Sequence, residues 1–129
     1  MDLSTYKWRN RLLLIFAPPA SDEDHKEQIR LLEGSETGSE DRDLILATIF
    51  EDGAGELEDG AISMEEASGL RETFGIPKDR FTVVLVGKDG GEKFRSYIPV
   101  SLRDIFDRID AMPMRRREMH KYVRSEEER

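Results

Sequence analysis

Short apolar runs separated by charged stretches divide this chain into elements. "RLLLIFA", residues 11–17, is continuous apolar chain between Arg9 to Arg11 and the prolines Pro18 and Pro19, the pattern of a strand buried on both faces. The prolines lack an N–H and push their predecessors out of helical geometry, so the strand must stop there. Ser21 reads as the N-cap of a helix over about 22–33, with Asp24 as capping-box partner, Ile29 and Leu32 facing inward and Gly34 as the stop. "SETGSED", 35–41, reads as a polar loop, and "RDLILATIFE", 42–51, as a second apolar strand. The glycine-rich, acidic "DGAGELEDGAIS" reads as an exposed excursion, and its acids do not match the spacing of a calcium loop. Ser63 and Glu66 repeat the capping-box pattern, and Met64, Ala67, Leu70 and Phe74 follow at helical spacing until Gly75 and Pro77. "FTVVLVG", 81–87, is the most strand-like segment, "KDGG", 88–91, a tight turn, and "EKFRSYI", 92–98, a half-polar edge strand. Alternation along that last strand puts Lys93, Arg95 and Tyr97 on one face. Ser101 with Asp104 then caps an amphipathic helix carrying Leu102, Ile105, Phe106, Ile109 and Met112, which Pro113 closes.

The order β-α-β-α-β-β-α defines the expected fold class: α/β, thioredoxin-like, a four-stranded mixed sheet flanked by helices. Two strand–helix–strand crossovers imply parallel pairing, and the "KDGG" hairpin adds an antiparallel edge. The wholly apolar first strand belongs at the centre and the last strand at an edge. Residues 1–119 form one thioredoxin-like domain, and 120–129 form a charged C-terminal tail.

At 129 residues the chain suits a single core. Its net charge of −8 is uneven: residues 1–20 carry +2, 21–66 carry −13 and 67–129 carry +3. The acidic first half argues against general nucleic-acid binding, while the basic second half leaves room for a local anion site. No stretch approaches the length of a membrane span, and the first ten residues lack the order of a signal peptide. The absence of cysteine excludes disulfides, thiolate nucleophiles, Cys-ligated zinc and iron–sulfur clusters.

Four stretches also resemble a known family. "YKWRNRLLLIFAP", "RDLILATIF", "FTVVLVGKDGGEKFRS" and "IDAMPMRRREM" are similar to the domain of unknown function 4174, from Tyr6 to about Met119. That domain is similar to one in bacterial exported proteins and to modules in vertebrate sushi-repeat-containing and coiled-coil-domain-containing matrix proteins. The resemblance implies a thioredoxin-like fold and, often, a place outside the cytoplasm, periplasmic or extracellular. It implies no reaction and no cofactor.

A thioredoxin-type oxidoreductase needs a Cys-x-x-Cys pair where this chain has "APPAS", and Asp22, Glu23 and Asp24 fill the positive helix end that would lower a thiol pKa. Redox thioredoxins also place a cis-proline before the third strand, where Arg80, Phe81 and Thr82 stand here. Ser21 with His25 four residues on is better explained as a cap than as a nucleophile with its base, and His120 belongs to the solvated tail. Paired acids such as Asp107 and Asp110 read as a solvated face, and no metal-ligand set or cofactor motif is present; no catalytic residue is assigned. The candidate binding residues are basic: Lys88 at the turn, Lys93 and Arg95 on the edge strand, and Arg115, Arg116 and Arg117 after "MPM". One reading has these arginines complementing a helix end and pairing with Asp107, Asp110 or Glu118; the other is a patch for an anionic or acidic protein partner. Met112 and Met114 read as core or as a soft contact surface, and Tyr6 and Trp8 as packed against the sheet. The function expected is an interaction module without redox cysteines. The alternatives are a non-thiol enzyme acting on a small anionic substrate, and a redox helper whose partner supplies the cysteines.

Overall fold

The structure, a computed structural model, describes residues 3–19, 22–51, 55–57 and 60–127. β1 (Arg11–Ala17) lies inside the sheet and is buried along its whole length, as its uninterrupted apolar sequence requires. The sheet order is β4-β3-β2-β1-β5-β6, with β2 spanning Leu44–Phe50, β3 Gly55–Leu57, β4 Gly60–Ile62, β5 Thr82–Val86 and β6 Glu92–Ser96. The sheet therefore has six strands and not four. The added pair, β3 and β4, is a hairpin within the segment read as an acidic excursion, whose residues 52–54 and 58–59 lie outside the described ones.

Only one of the two expected parallel pairings forms. β1 and β2 run parallel with Leu14 opposite Ala47, but β5 is antiparallel to β1 with Leu14 opposite Val84. The end of β2 (Phe50, opposite Ala17) and the start of β5 (Thr82, opposite Phe16) lie at the same end of β1. The connection through α3 (Met64–Phe74) thus returns the chain to the end it left, and β5 has to run back.

Alternation along β1 builds two cores. Leu13, Ile15 and Ala17 face Leu32, Val83, Leu85, Ile105 and Ile109, beneath α1 (Glu23–Leu31) and α4 (Leu102–Asp110). Leu12, Leu14 and Phe16 face Ala47, Ile49, Ala67, Leu70 and Val84, beneath α3. Caps agree with sequence at two helices: the Ser63–Glu66 capping box is complete, and the Ser101 hydroxyl accepts from the Asp104 N–H. At α1 the cap is Asp22, which accepts from the His25 N–H at 3.1 Å; Ser21 lies outside the described residues. The inward residue of α1 is Gln28, while Ile29 is exposed, one position out of the expected phase. Met64 is exposed too. "ETGSED" forms a short helix, α2 (Glu36–Asp41), instead of a loop. Pro113 opens α5 (Pro113–Glu127), the N1 position that proline's fixed φ suits, after a turn at Ala111 and Met112 that ends α4. Among the described residues no helix is long and apolar enough to cross a membrane.

Candidate functional site

The two ends of β1 differ in charge. Beyond its carboxyl end, Pro18, Pro19, Glu51 and Asp79 line a cleft, and the Glu51 carboxylate accepts from the Asp79 N–H at 2.9 Å. Glu23 and Asp24 follow the Asp22 cap in the first turn of α1. The His25 ring sits edge-on to Phe50, 5.1 Å between centroids, and its Nδ1 is buried without a partner among the described residues. Carboxylates are the more numerous charges at this corner, where Arg71 donates to the Ala17 and Ile49 carbonyls at 3.2 Å each.

At the opposite end of β1 the chain gathers cations. Arg11, read from sequence as a strand boundary, is 1% exposed. Its Nη1 donates to the Arg42 carbonyl at 2.9 Å, and its guanidinium forks onto the Glu118 carboxylate at 2.8 and 3.3 Å. Lys88, 9% exposed where the chain leaves β5, donates to Asp43 and Glu118, each at 2.8 Å. Beside this lies a second set: Arg42 donates to both oxygens of Asp110 at 3.1 and 2.9 Å, and Arg115 donates to Asp110 at 3.0 Å and to Asp41 at 2.6 Å. Burial acts to raise the Glu118 carboxyl, but Arg11 and Lys88 outweigh it and hold it below its ordinary value. Asp110 is likewise held low by Arg42 and Arg115 against its burial.

Outside these pairs is a cavity of about 360 Å³ between the β5–β6 turn and the α4–α5 corner. Trp8, Met112, Pro113 and Met114 supply its apolar wall; Arg11, Lys88, Lys93 and Arg117 supply cations. Lys93 pairs with Asp89 at 2.6 Å, and Arg117 is exposed with no ion pair among the described residues. Trp8 is 60% exposed, not packed on the sheet as expected, and its backbone is left-handed at φ 69°. The Lys88 carbonyl accepts its N–H, and the Lys7 ammonium stands 5.5 Å from its ring centre. A left-handed conformation costs a bulky L-residue about 1 kcal/mol, so Trp8 is held out at an energetic cost. Trp8→Gly is therefore expected to leave stability unchanged or raise it by up to about 1 kcal/mol, measured by urea unfolding. A loss of that size would show that the indole supports the fold.

The six basic candidates do not form one patch. Lys88, Lys93 and Arg117 line the cavity; Arg116 is exposed; Arg115 is buried in its own ion pairs. Arg95 is remote, paired with Glu92 and donating to the Phe74 carbonyl at the end of α3, on the other face of the sheet. A bulge explains the separation: Glu92 faces Val86 and Phe94 faces Leu85, so Lys93 is an extra residue and alternation breaks between it and Arg95. Of the acids expected to receive the arginines, Asp110 takes Arg115, whereas Glu118 takes Arg11 and Lys88, and Asp107 lies nearest Arg103. Arg11, Arg42, Asp43 and Trp8 were missed. Their one signal in sequence is opposite charges abutting two strands that pair in register, Arg11 opposite Leu44.

A mixed sheet with this order, helices on both faces and no cysteine defines a thioredoxin-like domain that cannot itself perform thiol chemistry. Solved structures agree on the fold: a reduced 2-Cys peroxiredoxin of Plasmodium vivax matches with a TM-score of 0.63 at 14% identity, over 86% of this chain and 82% of that one. A thioredoxin peroxidase I of Plasmodium yoelii matches with 0.60 at 18% identity, over 86% of this chain and 77% of that one. The chain belongs to the family described as Domain of unknown function (DUF4174), whose profile matches residues 2–118. It is 30% identical to Coiled-coil domain-containing protein 80 of Danio rerio over 91% of this chain, and 31% identical to Sushi repeat-containing protein SRPX2 of Homo sapiens over 84%. It spans only 15% and 24% of the length of those two relatives.

Proposed function

We propose that this domain is a non-enzymatic interaction module that seats an acidic protein segment in the cavity beside Trp8. The observation that carries the reading is the cavity itself, where an exposed indole and two methionines meet Lys93 and Arg117, the latter exposed and without an ion pair among the described residues. Rigid aromatics and adaptable thioethers suit peptide contacts, and guanidinium and ammonium groups on the rim select carboxylates. The carboxylate-rich corner at the other end of β1 gives no comparable support to an enzyme acting on a small anion. By family resemblance the site of action is periplasmic or extracellular, which fractionation of host cells expressing the gene with its own upstream region would check.

The test uses a fluorescein-labelled peptide of alternating leucine and glutamate, read by anisotropy. The pair Lys93→Ala with Arg117→Ala is expected to weaken binding about tenfold or more, and Arg95→Ala to leave it unchanged. Equal binding by the paired variant, with an unaltered thermal midpoint, would remove the cavity as the site.

A further inference from the structure

Behind the rim, the inner wall of the cavity includes Arg11 and Lys88, and these two buried cations share one carboxylate, Glu118. Glu118 itself keeps 29% of its side chain exposed, so the carboxylate that neutralises them stays in contact with solvent. Arg11 keeps one donor idle, since its Nε is buried without a hydrogen-bond partner among the described residues. The first half of the helix that delivers Glu118 is tied down by ion pairs. Of the α5 side chains described, Pro113 to His120, none belongs to either core cluster, whereas Glu118 bonds Arg11 and Lys88, and Arg115 bonds Asp41 and Asp110. A carboxylate from another chain can make the same forked hydrogen bonds that Glu118 makes, so this contact is exchangeable in a way that a packed core contact is not.

Resting on the reading of the cavity as a partner site, we infer that Arg11 and Lys88 form a carboxylate subsite which Glu118 occupies in cis, and that an acidic partner segment displaces it with its own Asp or Glu. The partner's neighbouring apolar side chain then lies against Trp8, Met112 and Met114, and its flanking acids meet Lys93 and Arg117. Glu118 acts as an internal competitor: only the fraction of molecules with the subsite vacated is competent, and apparent affinity falls by that fraction.

The experiment measures the leucine–glutamate peptide against the full chain, wild type and Glu118→Ala, with thermal midpoints checked for each. Glu118→Ala is expected to bind about tenfold tighter or more, and adding Lys88→Met to it is expected to abolish the gain. If Glu118→Ala does not fold, Glu118→Gln, which keeps the shape and removes the charge, is measured in its place with the same expectation. Equal or weaker binding by the Glu118 variant overturns the subsite; if Lys93→Ala with Arg117→Ala still weakens binding, the cavity reading survives. Absence of peptide binding by every protein overturns both.

Discussion

Gln28→Leu is expected to cost about 3 kcal/mol of folding stability and to lower the thermal midpoint by about 10 °C. Gln28 is completely buried in α1, and its amide closes a two-way bridge to the backbone of one residue: Nε2 donates to the Val100 carbonyl at 2.9 Å and Oε1 accepts from the Val100 N–H at 2.8 Å. Val100 is itself buried and immediately precedes Ser101, the cap of α4, so the bridge fixes α1 to the start of the helix that covers the sheet on that face. Leucine nearly matches glutamine in volume, so the packing term is small and the loss isolates the polar one. Two backbone groups would be left in the interior with neither protein nor water to satisfy them. Gln28→Glu serves as the discriminating variant. It keeps the acceptor but replaces the donor with a carboxylate oxygen, so it should be nearly as unstable as leucine at neutral pH and recover partly in acid, where a protonated carboxyl can donate. Thermal and urea unfolding of the two variants measure this, and a Gln28→Leu protein as stable as wild type would show that the bridge contributes nothing net.

The same residue shows why part of this fold could be read in advance and part could not. Apolar runs identify β1, β2 and β5, and side-chain caps at Ser63 and Ser101 fix two helix starts, because those signals are local. Choosing between Gln28 and Ile29 as the inward residue of α1 is not a local matter. Hydrophobicity favours the isoleucine, yet the amide wins because Val100, 72 positions away, satisfies both of its ends. The β3–β4 hairpin escapes for a related reason. Among its described residues it offers a single buried aliphatic, Ile62, and it depends on Gly55, where any side chain would collide with the Thr48 carbonyl across the strand pair. α2 is polar in sequence, and its position rests on Gly38 lying close against Phe106. At the site, the positive charge of Lys88 and Arg117 was legible, but not that Arg11 would be buried, that Glu118 would neutralise it, or that a one-residue bulge would turn Lys93 away from Arg95.

Acid is expected to loosen α5 before it unfolds the sheet. Glu118 is faced by Arg11 from β1 and Lys88 from the end of β5, with Asp43 on the far side of Lys88; Asp110 is faced by Arg42 from the end of α2 and Arg115 from α5, with Asp41 beyond Arg115. Both carboxyls are held below their ordinary values in the folded protein, because their cations outweigh burial. A depressed native value means that the unfolded chain binds the proton more readily. The stabilisation is therefore complete above the ordinary carboxylate range, about pH 4, and drains away as pH falls through the lower native values. Protonation would leave the buried Arg11 without its counter-charge and Arg115 with Asp41 alone, which the interior tolerates poorly. Neutral pH can mimic that state by mutation: Asp110→Asn is expected to cost about 2 kcal/mol, below the usual figure for a fully buried pair because the aspartate side chain is 31% exposed. Stability against pH should be visibly flatter in acid for Asp110→Asn and for Glu118→Gln than for wild type. Hydrogen exchange should show α5 amides losing protection at a higher pH than those of β1. Parallel stability curves in all three proteins would place the acid sensitivity elsewhere, whereas convergence at low pH would show that this charge network is what holds the last helix against the cavity.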